Sequence, residues 1–527
     1  MRTVLPTFLL LPLLHAQTDA AANAPQTIPE ATGHAQTSRL ADVQKFLDAL
    51  MKLPHGNRVE VSVAGKTHEG RPLLLAKAAL PEADPKRLRA VVIANIHSGE
   101  CEGKEAVQML LREFALGQHE DLLRGADLWF LPVYNPDGNE AVDRKNRLEQ
   151  NGPDSVGKRP NGQGLDLNRD FVKADAPETR ALLRLIDSVD PHVFMDLHTT
   201  DGSTHGYHLT FAPSLATSLD PEIASYSRKL LDGVTTAMQR DHGYRVFDYG
   251  NFETRDWEGN GAPESKGQRG WWTYDWRARY GINWFGLRNR IAVLSEAYSY
   301  ADFQTRIAAT RAFVLTVLGK AVADRDALRA TCERADRRLL RPDAPQYFGF
   351  DSVFGDPEFL PVLVGEVDRI ELPDGVGTRL AMKSGFTTET MPVVRRFRAR
   401  QQIALPFGWA LAEADAAVLD ALQLHGVAFE KLAEPRRVVV QQFTVTNKRK
   451  PKRPYQGHQE LQLSGNWQPE ATIELPAGTT WIPGRQARAR LAAQLLEPQS
   501  EDSLSTWNYL EARTTDTYPV LRVLRQP

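Results

Sequence analysis

The chain has 527 residues, with 64 Lys+Arg against 66 Asp+Glu, 42% apolar residues and 25% charged ones. That composition excludes disordered, collagenous and disulfide-knotted chains, and at roughly 100–200 residues per domain it allows several domains with buried cores. A formal net charge of −2 gives no general electrostatic reason to bind nucleic acid or an anionic membrane, and two cysteines, Cys101 and Cys332, cannot build a zinc finger and allow at most one disulfide.

Met1-Arg2 is followed by an apolar run at 4–14, broken by Pro6 and Pro12, and then by Leu14-His15-Ala16. That order predicts a secretory signal peptide over 1–16. The run is shorter than the roughly 20 apolar residues that cross a bilayer, so no stable membrane span is expected and the mature protein should be secreted or periplasmic. Residues 17–38 read as a flexible lead-in.

From 39 to 330 short apolar runs alternate with helical patterns. Residues 91–96 (VVIANI), 128–134 (LWFLPVY), 192–197 (HVFMDL) and 291–295 (IAVLS) read as buried strands. Residues 105–116 and 178–189 carry helical spacing, and Asn135-Pro136-Asp137-Gly138 is a strong turn signal. The alternation predicts an α/β domain with a mixed, mostly parallel sheet and helices on both faces. From 345 to 527 the texture becomes β-rich, with strand-like runs at 362–372, 438–445, 460–463 and 491–496, and one helix at 412–425 closed by Gly426. This part reads as a smaller accessory domain. The basic run 448–453 reads as a solvated loop.

The chemistry gathers at strand ends. His97-Ser98-Gly99-Glu100 follows the 91–96 strand, so an imidazole and a carboxylate, both good zinc ligands, can turn toward one point. About one His-x-x-Glu is expected by chance in such a chain, so a third ligand has to come from elsewhere. His198 ends the 192–197 strand, and sites in open α/β sheets form beyond the carboxyl ends of strands. His205 and His208 follow glycines in a looser segment and are weaker rivals. Glu296 ends the 291–295 strand and suits a general base; the bland alternative is a buried acid paired with Arg288 or Arg290. Asn168-Arg169 offers an amide and a planar fork for a substrate carboxylate, and Asp166 can accept the far N–H of a ligating histidine. Cys101 reads as a small buried residue, and a bond to Cys332 is permitted by export.

Together, His97-x-x-Glu100, Asn135-Pro136-Asp137-Gly138, Asp166-x-Asn168-Arg169, His198 and Glu296, in that order, resemble the carboxypeptidase A-type zinc peptidases, exported bacterial members included. The resemblance implies one zinc ion held by His97, Glu100 and His198, with Glu296 as base and Asn168 and Arg169 as the clamp for a peptide or protein substrate with a free C-terminal carboxylate. It also implies an oxyanion arginine, for which Arg147 is the first choice, with Arg159 close behind and Arg144 third, and a mobile tyrosine, Tyr274 or Tyr280. The aromatic stretch 270–276 suits a pocket wall or core. Two other readings stay open: a zinc amidohydrolase acting on cell-wall peptides or side-chain amides, and a non-catalytic binding protein on the same fold.

Overall fold

The computed structural model describes residues 23–200, 202–252, 269–341 and 343–526. The expected signal peptide lies outside them. Nine strands are described up to residue 300: β1 (Val59–Lys66), β2 (Pro72–Ala78), β3 (Leu88–Ala94), β4 (Ala126–Leu131), β5 (Val193–Thr200), β6 (Leu209–Pro213), β7 (Val246–Asp248), β8 (Trp271–Trp272) and β9 (Ile291–Tyr298). All but β8 form one sheet in the order β1-β2-β4-β3-β5-β9-β6-β7. The pairs β3–β4, β3–β5, β5–β9 and β6–β7 are parallel, and β1–β2, β2–β4 and β6–β9 are antiparallel. The expected mixed, mostly parallel sheet is therefore present.

The central strands are apolar on both sides because helices cover both. Alternate side chains go to opposite faces. Val92, Ala94, Met195, Leu197 and Val293 pack with helices Glu102–Ala115, Pro221–His242 and Phe303–Ala323. Val91, Ile93, Phe194, Ala292 and Leu294 pack with helices Pro177–Val189 and Gly281–Gly286. That second apolar layer continues without a break into the C-terminal region, through Trp409, Leu411, Val418, Leu422, Leu491, Leu495, Tyr518 and Val520.

The C-terminal region is built on a six-stranded sheet in which Gly408–Leu411 lies between Thr480–Pro483 and Val520–Arg525. A long hairpin, Glu358–Glu371 with Thr378–Val394, reaches back to the first sheet's domain. Val393 and Val394 pair in parallel with β8, Leu380 N–H donates to Glu149 O at 3.0 Å, and Met382 N–H donates to Tyr300 O at 2.7 Å.

Several expectations are corrected. Residues 491–496 are not a strand but part of helix Ala489–Leu496; Leu491 and Leu495, four apart, share a buried face, and Ala, Leu and Gln favour helix. The helix expected at 412–425 is shorter, Ala416–Leu424, and ends at Gly426 with φ +68°. The 438–445 run is two strands, Arg436–Gln441 and Phe443–Arg449, in different sheets. The described part of the lead-in, 23–38, is packed rather than loose. Arg112 grips Glu30 through Nη2 at 2.6 Å and Nη1 at 2.7 Å, and buried Glu105 accepts from Thr37 Oγ1 and Ser38 N at 2.8 Å. Cys101 and Cys332 are both buried and free.

Candidate metal centre and substrate cavity

β3 stops at Ala94 because Asn95 takes a left-handed backbone, φ +62°. Its side-chain amide donates to Ser98 O at 3.2 Å and Glu100 O at 3.1 Å, tightening the turn that carries His97 and Glu100. Helix Glu102–Ala115 starts directly afterwards. β5 runs beside β3 and delivers His198 next to the same turn, and its neighbour β9 pairs Glu296 with His198 in register.

His97, Glu100 and His198 are almost fully buried and offer ligand atoms that all lie within 4.8 Å of one another. His97 Nδ1 is 3.0 Å from Glu100 Oε1, and His198 Nδ1 is 2.9 Å from Glu100 Oε2. Each outer nitrogen faces an acid: His97 Nε2 is hydrogen-bonded to Asp166 Oδ1 at 3.0 Å, and His198 Nε2 lies 2.9 Å from Asp196 Oδ2 and 3.5 Å from the Asn168 amide nitrogen. The Asp166–His97 hydrogen bond orients that ring, and both Nδ1 atoms face the Glu100 carboxylate, where they could serve a metal. Two imidazoles and one carboxylate are a suitable donor set for catalytic zinc. Burial alone would raise the Glu100 carboxyl, but the charges of His97 and Arg147 and the bonds from both histidines hold it well below the ordinary range. Burial likewise works against ionised Asp166, yet Arg169, His97 and Arg159 keep its carboxyl well below the usual value.

The centre opens on a cavity of about 290 Å³ lined by all three residues and by Arg147, Arg159, Asn168, Arg169, Tyr249, Tyr274, Tyr280, Leu294 and Glu296. The expected metal donors, Glu296, Asn168, Arg169, Arg147, Arg159 and both candidate tyrosines thus line one cavity, whereas Asp166 and Arg144 do not. Arg288 and Arg290 pair instead with Asp187 and with Asp190 and Asp336, so neither is the partner considered for Glu296. Arg169 lies over the Tyr280 ring at 4.1 Å. Asn168 Oδ1 accepts Gly281 N–H at 3.0 Å, which ties the Asn168-Arg169 segment to the wall that bears Tyr280. Tyr274 stands edge-on to Tyr280 and Tyr249, both at 5.5 Å, and burial beside Tyr280 and Glu296 pushes its hydroxyl well above the ordinary value.

Two arginines, not one, reach the centre. Arg147 Nη2 pairs with Glu100 Oε1, and its stem lies over Gly99, where a Cβ would meet Arg147 Cγ at 2.8 Å. Arg159 grips Asp166 Oδ2 through Nη2 at 2.8 Å and Nε at 3.1 Å, with Nη1 3.8 Å from Glu100 Oε1. Arg144 does not line the cavity. The His205 ring is tilted against the Tyr298 ring at 4.0 Å, and His205 is not part of the metal-donor cluster. Of the aromatic stretch 270–276, Tyr274 walls the cavity, whereas Trp271 is core and donates to Asp248 O at 2.9 Å. The Asn135-Pro136-Asp137-Gly138 turn is scaffolding: Asn135 Nδ2 bridges Ile96 O and Arg159 O, both at 3.2 Å, and buried Asp137 accepts from Thr67, Glu69 and Arg71.

Asp196 and Tyr249 were not singled out in the sequence. Asp196 carries a readable signal, because residues two apart on a strand share a face and so aim at one another's surroundings. Tyr249 carries none.

Residues 43–283 match the zinc carboxypeptidase family. That stretch is a zinc carboxypeptidase domain with the buried His–Glu–His donors inside it, which supports a metallocarboxypeptidase, a hydrolase that uses one zinc ion. The chain is 25% identical over 483 residues to carboxypeptidase 2 of Trichophyton tonsurans, covering 87% of this chain and 81% of that one. It is 29% identical over 160 residues to carboxypeptidase D of Homo sapiens, covering 23% of this chain and 12% of that one. A crystal structure of a metallo-carboxypeptidase from Burkholderia cenocepacia is similar over 54% of this chain and 70% of that one, at 18% identity and a TM-score of 0.41. Among the described residues no helix is long and apolar enough to cross a membrane.

Proposed function

We propose that the enzyme removes the C-terminal residue of peptides or proteins, with His97, Glu100 and His198 holding the zinc and Glu296 serving as general base. When bound, zinc supplies a Lewis acid for the scissile carbonyl and brings the pKa of water toward about 7. Arg169, backed by Tyr280, meets the terminal carboxylate through its planar fork, with Asn168 alongside. Fixing that end sets the register, so that the last peptide bond is the one presented to the metal donors. The Glu296 carboxylate takes a proton from the attacking water and passes it to the departing amine nitrogen. Arg147 and Arg159 face the point where negative charge grows on the carbonyl oxygen. The leading apolar run 4–14 supports a place of work outside the cytoplasm.

The observation that carries this reading is the convergence of metal donors, Glu296 and Arg169 on one cavity. Glu296→Gln should keep one zinc per chain by elemental analysis and lose about 10²–10⁴-fold in kcat on a blocked dipeptide with a free carboxylate. Near-normal turnover in that variant removes Glu296 from the role.

A further inference from the structure

We propose that the turn at 455–458, part of the C-terminal region, is a positioning element for the metal centre, acting on His97 through Gln456 and Asp166. The proposal rests on the reading of His97 as a zinc ligand. In the turn, Tyr455 N–H donates to His458 O at 2.7 Å and His458 N–H donates to Tyr455 O at 3.0 Å. Its two central residues, Gln456 and Gly457, both have left-handed backbones, φ +49° and +85°. This is the pattern of a two-residue hairpin turn, whose first central position favours Asn, Asp or Gly. A glutamine there is locally disfavoured.

The longer side chain is put to use: Gln456 Oε1 accepts the backbone N–H of Asp166 at 2.8 Å, across 290 residues of sequence. Asp166 is the acid beneath the centre. Its Oδ1 lies 3.0 Å from His97 Nε2 and accepts Asn168 N–H at 2.9 Å, while Oδ2 accepts from Arg159. Fixing the Asp166 N–H fixes where that carboxylate points, and the carboxylate in turn orients the imidazole.

The turn is itself held firmly. His458 spans from Asn508 Oδ1, 3.0 Å from Nδ1, to Asp175 Oδ2, 2.8 Å from Nε2, and meets the Trp507 ring edge-on at 5.7 Å. Tyr455 faces the guanidinium of Arg279 at 5.2 Å, and Arg279 is fixed by Asp502 and Glu460 at 2.9 and 2.7 Å. Gln456 is therefore placed by anchors on both regions, Asn508 and Trp507 on one side and Asp175 and Arg279 on the other, none of which is Asp166 itself.

Gln456→Asn separates this role from a merely structural one. Asparagine suits the left-handed position better, so the turn persists, but its amide is shorter by one methylene, about 1.5 Å, and cannot reach Asp166. On the full chain, the Zn²⁺ dissociation constant measured by competition with a chelating dye should rise about tenfold in Gln456→Asn. The kcat should fall by a similar factor, with KM held within about twofold. Gln456→Glu, which keeps an acceptor at the same reach, should bring both back to within about threefold of the parent. Parental zinc affinity in Gln456→Asn overturns the proposal, as do equal losses in the Asn and Glu variants. His97→Ala, measured alongside, separates the two readings. If it loses zinc while Gln456→Asn does not, the ligand set stands and the turn has no such role. If His97→Ala binds zinc like the parent, the ligand reading and this proposal both fall.

Discussion

His425 joins the C-terminal region to the central sheet's domain, and acid should loosen that joint. Its ring is fully buried at the end of helix Ala416–Leu424. Nδ1 accepts the Trp284 indole N–H at 2.9 Å, and Nε2 donates to Val172 O at 2.8 Å. Only the neutral ring satisfies both, because a proton on Nδ1 would face the indole proton. Burial, with repulsion from Arg288 and Arg180, pushes its pKa down to about 4. The unfolded chain binds that proton near pH 6.5, so the native state gains stability from His425 above 6.5 and loses it as the pH falls toward 4. Integrated from pH 7.5, the loss is about 1 kcal/mol at pH 5.5 and about 2 to 3 kcal/mol at pH 4.5. His425→Gln offers a neutral acceptor and donor in the same place. Denaturant unfolding of both proteins at pH 7.5, 5.5 and 4.5, followed by tryptophan fluorescence, isolates this term. His192, His205 and His208, also pushed down by burial, are present in both and cancel. The parent should lose ground to the variant by those amounts; a stability difference that stays constant across the range refutes the reasoning.

Two further predictions concern the site. Arg169→Ala should lower kcat/KM on substrates with a free terminal carboxylate by about 10²-fold, the worth of a charge-assisted pair, and change amidated substrates by less than about threefold. An equal loss on both, measured by matched peptide pairs, rules out the clamp. Asp196→Asn should weaken zinc binding about tenfold by loosening the outer nitrogen of His198, and parental affinity in a chelator competition would show that the acid does not tune the metal.

The parts of this molecule legible in the sequence are those with a local signature. Buried strands in a doubly covered sheet are continuous apolar runs, so β3, β5 and β9 could be read, and with them the strand ends that carry His97, His198 and Glu296. Asp166 is readable as an acid that can pair with one of the candidate histidines. The choice between Arg147 and Arg159 is not, because both sit in an irregular segment whose path depends on Asn135 and on the room left by Gly99. Helix Ala489–Leu496 differs from the expected strand because short apolar runs do not separate strand from helix by hydrophobicity alone. Gln456 gave no signal, since its partner is 290 residues away.

The apolar layer shared between the first sheet and the C-terminal sheet bears on the order of events during synthesis. The ribosome completes every chemistry-bearing residue through Glu296 well before it makes Trp409, Leu491 or Val520, against which the inner helices lean. Until the segments that carry Trp409, Leu491 and Val520 emerge, one side of those helices lacks its full cover. The apolar layer behind the catalytic half therefore closes only after all of its chemistry-bearing residues have been made.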